Sequence, residues 1–201
     1  MQIHAVMDCS LVNGPGRRAV VWLQGCEIHC PGCWNPASHL RAGGFAASAV
    51  EVAPQIERAA EAYDLEGVTI SGGEPLHQIS EAIELLSVLK HQLPALSTGL
   101  FTGYAENELN AGKFHTYLPS TAAARQVQWR ELRSLLDFAV LGRYNRRQPT
   151  TAPLVSSRNQ RLRLFSARHD LEDFQDPQFE ISIEPNGLTQ ITGFPLLGSL
   201  E

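Results

Sequence analysis

Apolar positions along this chain fall into two patterns, short β-branched runs and longer stripes of helical period, and the two alternate. Ala19-Val20-Val21-Trp22-Leu23-Gln24, bounded by Gly14-Pro15-Gly16 and by Gly25, reads as a buried strand. Ser48 with Glu51 forms a capping-box pair, and Val52, Ile56, Ala59, Ala60 and Tyr63 continue it as the stripe of a helix reaching Asp64. Val68-Thr69-Ile70 is a second strand closed by Ser71-Gly72-Gly73-Glu74-Pro75, and Ile79, Ala82, Ile83, Leu86 and Leu89 mark the next helix. Leu96 to Phe101, Arg125 to Leu136 and Phe138 to Leu141 repeat strand, helix, strand, the last ending at Gly142. Such alternation predicts an α/β fold built from parallel βαβ units.

Beyond residue 150 the pattern changes. Leu162 to Phe165 is a short strand, and Phe179 to Glu184 with Leu188 to Thr192 flank Pro185-Asn186-Gly187, an Asn-Gly signal for a C-terminal β-hairpin. There is no internal repeat and no clear linker. With 201 residues, 43% of them hydrophobic, the chain has enough to bury one core, so residues 1–201 are expected to form a single domain.

The first nine residues lack a cationic stretch followed by a long apolar run, and nowhere do about eighteen apolar residues follow one another. A soluble, cytoplasmic protein with no membrane partner is expected. A formal charge of −5 offers phosphate backbones no general attraction, which argues against nucleic acid as a partner. Charge is locally uneven, however. No acidic residue lies between Asp137 and Asp170, while Arg143, Arg146, Arg147, Arg158, Arg161, Arg163 and Arg168 accumulate there, seven of the sixteen basic residues. That run is either a solvated face or a docking surface.

Four cysteines in a chain with its own core argue against a disulfide framework. Cys26, Cys30 and Cys33 stand at C-x3-C-x2-C spacing on the loop leaving the first predicted strand, so three thiolates converge from one short segment. Ordinary iron–sulfur clusters take four cysteines, and three on a [4Fe-4S] cubane leave one iron for an exogenous ligand. A zinc site completed by His29 or His39 is the alternative, though no second cysteine pair accompanies it. Cys9, ahead of that first strand, is read as a free structural cysteine. The seven histidines share no helical face or metal spacing, and no Walker-type phosphate loop is present.

The cysteine motif followed by an aromatic, here Trp34, resembles the signature of the radical S-adenosylmethionine (SAM) enzymes, and Ser71-Gly72-Gly73-Glu74-Pro75-Leu76 is similar to that superfamily's glycine-rich SAM motif. Asn13-Gly14-Pro15-Gly16-Arg17-Arg18, Trp34-Asn35-Pro36, Phe101-Thr102-Gly103-Tyr104, Val140-Leu141-Gly142-Arg143-Tyr144 and Asn159-Gln160-Arg161 resemble the glycyl-radical-enzyme activases, above all the anaerobic ribonucleotide reductase activating proteins. The likeness runs from about residue 10 to 165. It departs where Ser156-Ser157-Arg158-Asn159-Gln160 stands for the family's Gly-Ser-Ser-Asn-Gln, and in the extension from about residue 170 to 201.

The resemblance implies an incomplete TIM-like barrel of mostly parallel strands, the radical SAM core, with its cluster at the C-terminal strand ends. It implies Cys26, Cys30 and Cys33 as cluster ligands, and Trp34, Asn35, Ser71, Gly72, Gly73, Glu74 and Tyr104 as the surroundings of SAM. Asn35 would hold the cluster loop and Tyr104 would line the SAM cavity. No catalytic side chain beyond the cluster ligands is required, because the chemistry belongs to the cofactors. The implied partners are a glycyl-radical enzyme, docked on the arginine-rich stretch 143–168, and a small electron donor of flavodoxin or ferredoxin type. A radical SAM enzyme acting on a small molecule or peptide, and a zinc-stabilised binding module, are the other readings.

Overall fold

The structure is a computed structural model that describes residues 1–174, 179–183, 187 and 189–193. A seven-stranded sheet in the order β3-β1-β2-β4-β5-β6-β7 forms its centre. The strands are β1 (Gln2–Ser10), β2 (Arg18–Leu23), β3 (Phe45–Ala46), β4 (Gly67–Gly72), β5 (Ser97–Thr102), β6 (Phe138–Leu141) and β7 (Arg161–Leu164). Between them lie α1 (Ala49–Tyr63), α2 (Ile79–Gln92), α3 (Glu106–Asn110) and α4 (Ala122–Leu135). A separate antiparallel hairpin joins β8 (Phe179–Ile183) to β9 (Thr189–Gly193).

The alternation read from the sequence corresponds to β2-α1-β4-α2-β5-α4-β6, and β2, β4, β5 and β6 are mutually parallel. Antiparallel strands flank this block, β1 and β3 on one side and β7 on the other, so the sheet is mixed. The opening strand is a correction: no strand was expected before Ala19, yet Cys9 lies inside β1, which pairs with β2 from Ile3↔Leu23 to Ser10↔Arg18. Most β1 side chains are half-buried, so no two-residue alternation marks it. The hairpin stands where expected, but its turn residues Pro185 and Asn186 lie outside the described residues; Gly187 has a left-handed φ of 85°.

Alternation along the parallel strands separates two faces. Val21, Leu23, Ile70, Leu100 and Leu141 join the helices in one core, in which α2 packs against both α1 and α4. Their neighbours Trp22, Ser71, Phe101 and Val140 face the other way and line a cavity. The lower part of that second face is filled by Arg18, which is fully buried. Its guanidinium donates to Thr69 Oγ1, Ser97 Oγ and the carbonyls of Pro15, Val68 and Ser97, and lies 5.0 Å from the Phe138 ring centroid. A buried cation needs such saturation. With that end closed, the open space is at the C-terminal ends of the parallel strands.

Helix α1 begins as its capping box predicts, with Glu51 reaching back to accept from the Ser48 amide at 2.7 Å. At the opposite end of the sheet, Asp137 ties three elements together. Its carboxylate accepts from the Thr98 amide at 2.8 Å, from Ser166 Oγ at 2.6 Å and from Lys90 Nζ at 3.2 Å. Burial opposes its charge, but those donors outweigh burial and hold its pKa below the usual value. No helix among the described residues is long and apolar enough to cross a membrane.

Candidate functional site

Register aligns the ends of the parallel strands, with Leu23 opposite Gly72 and Thr102 opposite Leu141. The loops that follow converge on a cavity of about 430 Å³, whose wall includes Cys26, Cys30, Cys33, Trp34 and Asn35 from the cysteine loop and Ser71, Gly72, Gly73 and Glu74 from the end of β4. Nine of the ten residues expected at the site are therefore brought together. Tyr104 is not. It is buried behind this wall, where its hydroxyl accepts from the His115 amide at 3.0 Å and lies 3.2 Å from His77 Nε2. The turn after Gly103 sends it into the core.

The cysteine loop is held by backbone. Gly25 donates to the Ser38 carbonyl at 2.7 Å, Cys26 to that of His39 at 3.0 Å, and Cys33 to that of Cys30 at 3.0 Å. Asn35 contributes through its main chain: its amide lies 3.4 Å from Cys33 Sγ, and its carbonyl accepts from Ser38 Oγ at 2.8 Å. Two glutamines that sequence reasoning passed over brace the loop from beneath. Gln24 donates from Nε2 to the carbonyls of Ala37 and Leu40, and Gln78 donates to those of Gln2 and Gln24. Gln24 precedes Gly25-Cys26, and a polar residue ending a buried strand was the available signal.

Gly72, which ends β4, and Gly73 after it serve a close approach of main chain to main chain. Gly73 donates to the Leu23 carbonyl at 2.7 Å and Glu74 to that of Gly25 at 2.9 Å, which extends the β2–β4 ladder into the cysteine loop. A Cβ on Gly73 would collide with the Gly25 backbone, and one on Gly72 with that of Leu23. The glycines, expected to let a ligand approach, line the cavity and also let the cysteine loop approach.

Glu74 is fully buried, and its carboxylate accepts from the Leu76 amide, Thr102 Oγ1 and the Gly103 amide at 2.9, 2.7 and 2.7 Å. Burial raises its pKa to about 7 against the pull of those donors. The wall is completed by the loop after β6. Gln160 accepts from the amides of Ser156 and Ser157 and donates to the Gly142 carbonyl at 3.0 Å, which secures the excursion carrying Tyr144, whose ring centroid is 6.1 Å from that of Trp34. The altered Ser156–Gln160 stretch is thus a brace of the cavity.

All three cysteines of the motif are free thiols, Cys26 buried and the others half-buried. Burial pushes Cys26 up to about 11 and raises Cys30. Among the described residues no three of His, Cys, Asp and Glu gather closely enough to hold a single ion. The His29 and His39 rings, the candidates for a zinc site, stand edge to face at 4.9 Å. A cubane spreads its ligands over separate corners, and three unpaired thiols on the wall of one roomy cavity fit that donor set.

The sequence profile of the 4Fe-4S single cluster domain matches residues 12–163, which includes all three cysteines. The chain belongs to that family. Within it, the chain is similar to the anaerobic ribonucleoside-triphosphate reductase-activating protein of Escherichia coli K12, at 29% identity over 116 residues, covering 56% of this chain and 75% of the relative. To the protein of the same name from Enterobacteria phage T4 it is 28% identical over 164 residues, covering 81% and 93%. The pyruvate formate-lyase-activating enzyme of Clostridium pasteurianum is 40% identical over 93 residues, with 45% of this chain and 39% of that one covered. The structure of QueE from Escherichia coli overlays 51% of this chain and 52% of its own with a TM-score of 0.41 and 20% identity.

The arginine-rich stretch divides. Arg143 makes a bidentate pair with Glu108 at 2.6 and 3.0 Å, and Arg163 pairs with Glu106 at 2.6 Å. Arg168 donates to the Ala95 carbonyl beside Asp137. Among the described residues Arg146 and Arg147 are exposed without an acidic partner, and Arg146 packs over Gly32 of the cysteine loop. Arg158 and Arg161, also exposed, donate to main-chain carbonyls, so among the described residues four arginines of the stretch have no acidic partner.

Proposed function

We propose that this chain is a radical SAM enzyme of the activating type, which installs a glycyl radical on a partner protein. The observation that carries the reading is the cavity itself, on whose wall Cys26, Cys30 and Cys33 stand beside Gly73-Glu74 in a chain of the 4Fe-4S single cluster family. The relatives named as reductase-activating proteins support the choice of partner, an anaerobic ribonucleoside-triphosphate reductase.

Cys26, Cys30 and Cys33 would hold the cluster. When bound, it supplies the electron that splits SAM into methionine and a 5′-deoxyadenosyl radical, which takes a hydrogen atom from a backbone glycine and leaves 5′-deoxyadenosine and a glycyl radical. The residues' part is to bind and exclude water. Ser71, Gly72 and Gly73 would offer main-chain groups to the amino end of SAM with the buried Glu74 nearby, while Trp34 and Asn35 border it from the cysteine loop. Arg146, which packs over Gly32 of the cysteine loop, and its neighbour Arg147 are suited to docking the partner beside the cavity. A flavodoxin- or ferredoxin-type protein would deliver the electron. Residues 1–201 would form one cytoplasmic domain, its mixed sheet corresponding to the incomplete barrel of the superfamily.

Anaerobic reconstitution with iron and sulfide, followed by dithionite and SAM, tests it. Wild type should form 5′-deoxyadenosine and Cys30→Ala should not; adding the reductase should then give the electron paramagnetic resonance doublet of a glycyl radical. A protein that takes up zinc, builds no cluster and makes no 5′-deoxyadenosine overturns the reading.

A further inference from the structure

The C-terminal hairpin lies beyond the family match and turns its polar face inward. In its register Ile181 pairs with Ile191, Ile183 with Thr189, and Glu180 with Thr192. Residues two apart share a face, so Ile181, Ile183 and Ile191 lie together on one side and Glu180 with Thr192 on the other. The polar side is the anchored one. Glu180 accepts from the Leu11 amide at 2.9 Å, and Thr192, which is buried, accepts from Asn13 Nδ2 at 3.0 Å. The isoleucines are 52%, 72% and 56% exposed.

A hairpin placed only for stability would bury its isoleucines against the body, since covering apolar surface is what stabilises a fold. An exposed apolar face marks an interaction surface. What covers it follows from continuity, because Thr189, Ile191, Thr192 and Gly193 of β9 also line the cavity that holds the three cysteines. A body seated on Ile181 and Ile183 lies across the cavity mouth.

We infer that the isoleucine face of the β8–β9 hairpin is the docking surface for the substrate polypeptide, taking an apolar segment of the partner next to the glycine that enters the cavity. This rests on the activating reading above. Such a platform suits a macromolecular substrate, whose binding energy is gathered away from the reacting atom. Its polar anchors to Asn13 and Leu11 fix the platform relative to the cysteine loop without using the apolar face.

The test is Ile181→Thr/Ile183→Thr, which keeps β-branched residues in an exposed strand and leaves the cavity-lining positions intact. Reconstituted wild type and variant are assayed for 5′-deoxyadenosine without partner, for glycyl radical over a range of anaerobic ribonucleoside-triphosphate reductase concentrations, and for mass by light scattering. The expected result is unchanged partner-free 5′-deoxyadenosine with the KM for the reductase raised at least about tenfold. An unchanged KM overturns the inference. So does a wild-type dimer that the variant dissolves, since the face then belongs to a second copy. Wild type that makes 5′-deoxyadenosine yet never radicalises the reductase overturns the activating reading instead, and the choice of occupant with it.

Discussion

The carboxylate of Glu74 accepts from the amide of Gly103 at 2.7 Å, joining the end of β4 to the end of β5 at the floor of the cavity. The same carboxylate takes Thr102 Oγ1 and the Leu76 amide, so three donors meet a group that burial pushes up to about 7. Its geometry suits an anion while its burial favours the acid, and the balance lies near neutral pH.

Glu74 therefore links stability to pH in the protein without cofactors. Its folded pKa lies above the ordinary carboxylate value, so folding takes up a proton between pH 4.5 and about 7, and the stabilisation present at low pH is lost as pH rises through that window. The full effect is up to about 3 kcal/mol. Urea midpoints at pH 5 and pH 8 should show wild type losing stability relative to Glu74→Gln as pH rises. A constant difference between the two proteins would assign no titration to this group.

His77 works in the opposite sense. It is buried, and burial together with the neighbouring His115 and His29 lowers its pKa to about 4. Between pH 6.5 and about 4 the unfolded chain holds a proton that the folded chain refuses, so stability present above pH 6.5 is lost on acidification, by about 2 kcal/mol at pH 5. His77→Gln keeps a donor or acceptor for the Tyr104 hydroxyl and should remove that loss, measured as the difference in urea midpoint between pH 7 and pH 5.

Asp137→Asn should destabilise the protein by about 2 kcal/mol at pH 7, because the Lys90 pairing loses its charge and one amide hydrogen is forced toward a donor. The depressed pKa adds that the gap between wild type and variant narrows as pH falls below the ordinary aspartate range and the wild-type carboxyl protonates. Denaturation curves at pH 7 and pH 3 measure both effects.

Strands β2, β4, β5 and β6 were legible because each is a buried apolar run closed by glycine, and the cysteine spacing was legible because its ligands are neighbours in sequence. The strand β1 was hidden by half-buried side chains, and α3 by its five-residue length. Tyr104 illustrates a different limit. Its place after a strand end suggested the cavity, but one residue past Gly103 the chain turns inward, and motif position alone does not carry that direction. The roles of Gln24, Gln78 and Gln160 arise from backbone carbonyls distant in sequence, so no local pattern announces them. The inverted hairpin is similar, since alternation predicts which residues share a face but not which face is turned to the body.

Gly73 and Gly103 separate backbone from side-chain obstruction at the site. A Cβ on Gly73 would strike the Gly25 carbonyl, which cannot yield without moving the loop that carries Cys26. A Cβ on Gly103 would stand 2.6 Å from Ile28 Cδ1, the end of a flexible side chain that can rotate away. Gly73→Ala should therefore cost about 3 kcal/mol, and Gly103→Ala about 1 kcal/mol. The difference should extend to the cluster: iron and sulfide bound after reconstitution should fall sharply in Gly73→Ala and stay near wild type in Gly103→Ala. Equal iron in both variants would mean that Gly73 does not set the position of the cysteine loop, and that the loop's bonds to Ser38 and His39 suffice to hold it.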